Sequence, residues 1–153
     1  MGKNNHGNQR STFMRMTECG FSEQVIRFIL TRDNEELGEL TILNIAHKFN
    51  ISQSHLYHIF QNEKKMPPGK FLTITKMLRS ANLLEESDHS LTIKAISKKM
   101  GFSSSDYFTR IFKEHFGTTP GKYREYTHIK SKDPEKQIKN LKAKDLKVRH
   151  RKK

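Results

Sequence analysis

The stretch LTIKAISKKMGFSSSDYFTRIFKEHFGTTPGKYR, residues Leu91–Arg124, decides the fold, because two amphipathic helical patterns flank a short polar break. Thr92 is placed to cap the first helix, and Gly101 is placed to form the turn. Either Ser103 or Ser104 then caps the second helix. The apolar residues expected to face inward are Ile93, Ile96, Met100, Phe108, Ile111 and Phe112. Two such helices joined by a short connection form a helix-turn-helix unit.

The same pattern occurs earlier in the chain, so the sequence contains two copies of one unit. The segment Leu40–Ile42 (LTI) returns as Leu91–Ile93 at an offset of 51 (91 − 40). The segment Pro68–Phe71 (PGKF) returns as Pro120–Tyr123 (PGKY) at an offset of 52 (120 − 68). One residue has therefore been inserted between the matched segments, and the order of the matches favours duplication over chance.

In the first copy, Thr41 and Ser52 are the predicted helix caps, and Asn50 occupies the left-handed turn position. Its inward positions are Ile42, Ile45, Ala46, Phe49, Leu56, Ile59 and Phe60. Between the copies, Phe71–Glu86 predicts a linker helix of roughly 24 Å. Its apolar face is expected to carry Phe71, Ile74, Leu78 and Ala81. Such a helix would hold two reading heads about one DNA turn, roughly 34 Å, apart.

The whole chain therefore predicts an all-α fold of two helix-turn-helix subdomains joined by a central linker helix. Ser22 is expected to cap a first helix, and the stretch Asp33–Glu39 is expected to be a charged loop. Beyond Tyr126 the sequence is lysine-rich, which predicts a tail that is partly helical or disordered. The predicted segments are a mobile leader (1–20), a first subdomain (21–67), the linker (68–87), a second subdomain (88–127) and the basic tail (128–153).

The composition of the 153 residues narrows the function classes. A formal net charge of +13 favours a polyanionic partner, nucleic acid before an anionic membrane. No apolar run approaches the roughly 20 residues of a membrane span, and the first ten residues lack a secretory pattern. With a single cysteine, Cys19, these features predict a cytoplasmic, nucleoid-associated protein. No phosphate-binding glycine loop, nucleophile elbow or zinc signature is found, so no enzyme and no cofactor is expected.

A spaced set of residues in the second copy is typical of one known family. The set is Ile96, Gly101-Phe102, Tyr107-Phe108, Phe112-Lys113, Phe116-Gly117, Pro120 and Tyr123-Arg124. It resembles the AraC/XylS DNA-binding domain, and the resemblance covers about Phe21 to Tyr126. The first copy and linker match more loosely, through Ala46, Ser52, Leu56, Phe60, Phe71-Leu72 and Leu83-Leu84. Ser80 and Ser97 stand where the family usually has Ala, and Lys76 stands where it usually has Arg. The resemblance implies a DNA-binding part alone, either a stand-alone member or a fragment of a longer regulator.

The exposed faces of the two recognition helices supply the candidate DNA contacts. The resemblance implies base-contacting roles for Ser54, Tyr57, His58, Ser105, Asp106, Tyr107 and Arg110. The expected DNA-backbone contacts are Ser52, Gln53, Ser104 and Arg124. Arg110 is the strongest candidate, because arginine binds a guanine edge through two hydrogen bonds.

Each assignment has an alternative that the sequence leaves open. Tyr107 is also compatible with a partly buried position, and Arg110 with a surface salt bridge. Asp106 either accepts from cytosine or orients Arg110 four residues on. Arg124 either contacts the DNA backbone or forms a structural pair. His55 and His58 have helical spacing but no third ligand, so no metal site is expected.

The sequence thus predicts a regulator that binds double-stranded DNA sequence-specifically and inserts two recognition helices into successive major-groove segments. Because the copies are in tandem and differ in their reading residues, a monomer on an asymmetric site is expected. RNA polymerase is a further expected partner, and no membrane is. The alternative is a basic nucleic-acid-binding or architectural protein without sequence preference. The sequence does not distinguish activator from repressor.

Overall fold

The computed structural model describes residues 20–87 and 90–132, with side chains described through His128. The described residues contain helices and no strand, which confirms the predicted all-α class. The helices are α1 (Phe21–Leu30), α2 (Asn34–Glu39), α3 (Ile42–Lys48), α4 (Gln53–Lys64), α5 (Pro68–Glu86), α6 (Ile93–Lys99), α7 (Ser105–Phe116) and α8 (Pro120–Lys132). The predicted leader, except Gly20, and the predicted tail beyond Lys132 lie outside the described residues, as does Cys19.

The chain divides into two compact units, one up to Lys76 and one from Met77 onward. Each unit contains one helix-turn-helix pair, α3–α4 in the first and α6–α7 in the second. The division falls inside α5, whose 19 residues span about 28 Å at 1.5 Å per residue. The helix begins at Pro68 rather than near Phe71, since proline is well suited to a first helical turn.

In the first unit, α1 packs against α4, and α3 packs against the same helix. The buried apolar residues of this unit are Val25, Ile29, Leu37, Leu40, Ile45, Ala46, Leu56, Phe60 and Leu72. The rings of Phe21 and Phe28 each meet the ring of Phe49 edge-on at 5.6 Å. The inward face predicted for the first copy is thus the face that builds this core.

The start of α1 differs from the sequence expectation. The cap residue is Gly20, which has no side chain with which to cap the helix. Ser22 is buried inside the helix, and its backbone N–H donates to the Glu63 carboxylate of α4 at 3.1 Å. Beside it, the Lys64 ammonium pairs with Glu23 at 2.8 Å and lowers the pKa of that carboxyl. The prediction that Ser22 caps the helix was therefore wrong, because a carboxylate 41 residues away takes that role.

The stretch predicted as a charged loop is a helix, α2, so that prediction was also wrong. Asp33 accepts from the backbone N–H groups of Glu35 and Glu36 at 2.9 and 2.8 Å. The Glu36 side chain in turn accepts from the Asp33 backbone N–H at 3.3 Å. This reciprocal capping box satisfies free N–H groups at the helix start, and the inward-facing Leu37 anchors the helix in the core.

The turn chemistry of both helix-turn-helix pairs agrees with the sequence expectation. Thr41 and Thr92 cap α3 and α6 by accepting from the backbone N–H three residues on. Asn50 and Gly101 take positive φ angles of 56° and 75° in the turns. A left-handed residue reverses the chain at little cost only where asparagine or glycine stands, so these two residues fix the geometry of each pair.

The second unit is built on an aromatic core. Its buried cluster is Met77, Ala81, Leu84, Ile96, Phe108 and Phe112. The ring of Phe112 lies 4.5 Å from that of Phe116 and 5.4 Å from that of Tyr123, measured between centroids. On α5, Leu78 is 54% exposed, so its predicted place on the buried face was wrong.

Candidate nucleic-acid interface

The first recognition helix is α4, and its buried side fixes which residues face outward. Leu56 and Phe60 are fully buried, while the Ser52 hydroxyl accepts from the His55 N–H at 3.1 Å and caps the helix. The residues left on the exposed surface of its first two turns are Gln53, Ser54, His55, Tyr57 and His58. The structure thus brings the predicted base-contacting residues of the first copy, with Gln53, onto one accessible stretch of helix.

A cleft of about 520 Å³ opens beside this stretch. It is lined by Ile42, Gln53, Ser54, Tyr57, His58, Pro67, Pro68 and Gly69. Its lining therefore comes from the exposed stretch of α4, from Ile42 of α3 and from the prolines at the start of α5. No acidic residue, lysine or arginine lines the cleft. Sequence reasoning missed it because the cleft depends on how α3, α4 and the start of α5 pack together, which the periodicity of one helix does not indicate.

The second recognition helix is α7, and its buried side is aromatic. Phe108 and Phe112 are fully buried, and their rings are 5.7 Å apart. Ser104 is the cap, since its hydroxyl accepts from the N–H groups of Asp106 and Tyr107 at 3.2 and 3.3 Å. Gly117, with φ of 70°, ends the helix. The predicted reading residues Asp106, Tyr107 and Arg110 are exposed, and Ser105 is half-buried.

Arg110 is accessible yet already oriented. Its guanidinium hydrogen bonds to Glu114 at 3.0 Å and lies 5.1 Å from the centroid of the Tyr107 ring. The Arg110 side chain is 61% exposed, so both contacts leave donors free to bind a further partner. The carboxylate that pairs with Arg110 is thus that of Glu114 and not that of Asp106. Glu114 lies four residues after Arg110, a helical spacing that is visible in the sequence but was not used in the prediction.

Tyr107 is partly buried, as one of its two alternatives requires, and is also accessible to a partner. The centroid of its ring lies 6.1 Å from the centroid of the Phe102 ring, while 45% of the residue is exposed. An aromatic residue in this position is restrained by its neighbours and still presents a polar hydroxyl at the surface. Base contact by Tyr107 stays a prediction.

The structure corrects the role of Arg124. The residue is only 7% exposed, and its guanidinium donates to the Leu91 carbonyl at 2.6 Å. Burial lowers its pKa. A guanidinium held in the interior by a backbone carbonyl is not presented to a phosphate, so Arg124 forms the structural pair rather than a DNA-backbone contact.

The first unit contains a counterpart that sequence reasoning missed. The ammonium of Lys76 is buried and donates to the carbonyls of Gly38 and Leu40 at 2.9 and 3.0 Å. Its burial lowers the pKa of the amine. Leu40 and Leu91 occupy equivalent places in the two copies, directly before the caps of α3 and α6. In each copy, a buried cationic side chain therefore binds the backbone directly before the first helix of the helix-turn-helix pair.

Two negative observations concern the described residues alone. Within residues 20–87 and 90–132, no three His, Cys, Asp or Glu side chains are grouped so that they could hold a metal ion. In the same part of the chain, none of the helices has the length and apolarity of a membrane span.

The comparisons with known proteins agree with this geometry. The family model for a helix-turn-helix domain matches residues 45–126, which run from α3 to α8 and include both recognition helices. The chain belongs to the AraC/XylS family of helix-turn-helix transcription regulators. It is 42% identical over 101 residues to the probable transcription factor PqrA of Proteus vulgaris, covering 66% of this chain and 80% of that protein. It spans only 31% and 29% of two other regulators that it matches.

Solved structures show the same fold. An AraC-type transcriptional regulator from Chromobacterium violaceum superposes with a TM-score of 0.59 at 23% identity, over 74% of this chain and 96% of that one. The DNA-binding domain of AdpA, solved in complex with a target DNA, superposes with a TM-score of 0.59 at 20% identity. That match covers 73% of this chain and 95% of the other. At these identities the likeness is one of fold.

Proposed function

We propose that this protein is a sequence-specific regulator that inserts α4 and α7 into successive major-groove segments of double-stranded DNA. The observation that supports the proposal most strongly is the duplication of the helix-turn-helix pair. In each copy the recognition helix is anchored by fully buried residues, and the two helices expose different polar faces. A protein that binds the phosphate backbone alone does not require two such faces, because backbone contacts carry no sequence information. The family to which the chain belongs supports DNA as the partner.

The two faces are proposed to contact bases through Ser54, Tyr57, His58, Ser105, Asp106, Tyr107 and Arg110. Backbone contacts are assigned to Ser52, Gln53 and Ser104, which lie at the N-terminal ends of α4 and α7. Free N–H groups and the positive end of the helix dipole favour a phosphate there. Arg110 is the proposed guanine-reading residue, because its planar guanidinium is exposed and matches the two acceptors of a guanine edge.

The binding unit is proposed to be a monomer on an asymmetric site of roughly two helical turns, in the cytoplasm and without enzymatic activity. The two reading faces are carried on one chain and differ at matching positions, since Ser54 corresponds to Asp106 and His58 to Arg110, so a palindrome is not required. Contact with RNA polymerase at the bound promoter belongs to the same proposal.

The net charge of +13 supports a second candidate, a basic protein that binds nucleic acid without sequence preference. Selection of binding sites from a random double-stranded oligonucleotide pool separates the two functions. The proposal predicts one enriched asymmetric motif, bound by a monomer in sedimentation. It also predicts a log–log salt slope on the order of −5 or steeper. An inverted repeat bound by an obligate dimer would contradict the monomer, and a pool that never enriches would favour the second candidate.

A further inference from the structure

The cleft beside α4 combines an apolar lining with a position on the proposed reading face. Ile42, Pro67 and Pro68 supply apolar surface, and the Tyr57 ring, in a residue 47% exposed, supplies an aromatic wall. The remaining side chains, from Gln53, Ser54 and His58, are polar. The cleft has no lysine or arginine in its lining, the side chains that most often bind a phosphate.

The occupant follows from what the major groove displays. Ser54, Tyr57 and His58 line the cleft and belong to the proposed base-contacting set, so a group that enters the cleft comes from the base edges facing α4. Those edges present hydrogen-bond donors, acceptors and a single kind of apolar group, the C5-methyl of thymine. The apolar surface of Ile42, Pro67 and Pro68 matches that methyl group, while the polar side chains of the lining face the donors and acceptors beside it.

We infer that the first copy reads thymine, by accepting a thymine methyl into the cleft against Tyr57 and the Pro67–Pro68 wall. This inference rests on the proposed function and assigns a base type to its first reading head. The second head differs in chemistry, because α7 carries the guanidinium of Arg110 and α4 carries no arginine. The bound site is therefore asymmetric in composition, with a thymine contact under α4 and a guanine contact under α7.

Deoxyuridine provides the direct test, because it pairs like thymidine and lacks only the methyl group. In the selected site, each thymine is replaced by uracil one at a time, and binding of the full chain is measured. At one or two thymines within one half of the site, affinity should fall about fourfold, the effect of one buried methyl group. Tyr57→Ala should weaken binding to the thymine site and remove the difference between thymine and uracil there.

Tyr107→Ala is the control, since Tyr107 is a tyrosine of α7 whose 45% exposure is close to the 47% of Tyr57. Whatever it does to overall affinity, it should leave the thymine-to-uracil ratio at those positions unchanged. If no uracil substitution affects binding while the site is still bound specifically, the inference is wrong and the proposed function stands. If Tyr107→Ala rather than Tyr57→Ala removes the methyl effect, the contact belongs to α7 and the inference fails. Loss of all sequence preference by the wild-type chain would overturn both.

Discussion

Arg124→Ala tests whether the buried guanidinium holds the second unit together or binds DNA. The substitution removes a charged donor that lies 2.6 Å from the Leu91 carbonyl and leaves that acceptor without this partner. A hydrogen bond of this kind contributes about 1.5–3 kcal/mol, and the buried alkyl stem adds packing. We therefore expect the free energy of unfolding to fall by about 2–4 kcal/mol.

Thermal denaturation followed by circular dichroism measures this loss. In a small unit, 1 kcal/mol corresponds to roughly 4–8 °C, so the melting temperature should drop by about 10 °C or more. Arg124→Lys, which keeps a cationic donor on a shorter reach, should recover part of the loss. Below the melting temperature, the salt dependence of DNA binding should match that of the wild-type chain.

The opposite pattern would refute the reasoning. A phosphate contact contributes about 0.9 to the log–log salt slope. If Arg124→Ala melted like the wild-type chain and its salt slope were shallower by about that amount, Arg124 would be a DNA-backbone contact, and its burial would not reflect a structural role.

Three further predictions concern other described contacts. Asp33→Ala should destabilise the chain by about 0.5–2 kcal/mol in urea denaturation, because it removes the cap of α2, and an unchanged midpoint would count against that cap. Glu114→Gln should raise DNA affinity up to about fivefold, because it releases Arg110 from an exposed ion pair. Glu36→Gln, which breaks a similar i,i+4 pair, should leave the affinity unchanged. Equal effects of the two substitutions would show that only net charge matters. Burial raises the pKa of Tyr123 to about 12, so the folded state favours its protonated form. The contribution of Tyr123 to the free energy of unfolding is complete below pH 10 and should be lost as the pH rises from 10 to 12. A Tyr123→Phe variant whose stability depends on pH in the same way as the wild-type chain would exclude this contribution.

Local rules predicted the two helix-turn-helix pairs correctly. The caps at Thr41 and Ser52, and the left-handed turn at Asn50, depend on residues within a few positions of one another. The buried faces of α4 and α7 follow from apolar spacing, so the exposed faces follow by exclusion. The same local evidence is present for α2, where Asp33 and Glu36 form a capping box, but the run of charged residues predicted a loop.

The remaining features depend on contacts between residues far apart in sequence. Glu63 meets the start of α1 from 41 residues away, and Arg124 meets Leu91 from 33 residues away. No periodicity of one helix indicates such pairs. On α5, Leu72 is buried in the first unit and Leu84 in the second, so a single apolar stripe does not describe the helix, and Leu78 is exposed.

The binding ratio between the selected site and random DNA, measured for Arg110→Ala, tests most directly whether α7 reads bases. Lys113→Ala is the matched control, since it removes one positive charge from the same helix at an exposed position. We expect Arg110→Ala to lower the ratio by about 5- to 150-fold, equivalent to about 1–3 kcal/mol, and to relax preference at one or two base pairs. Lys113→Ala should leave the ratio unchanged. If Arg110→Ala weakened binding to both DNAs by the same factor, Arg110 would contact phosphate, and α7 would not read sequence through it.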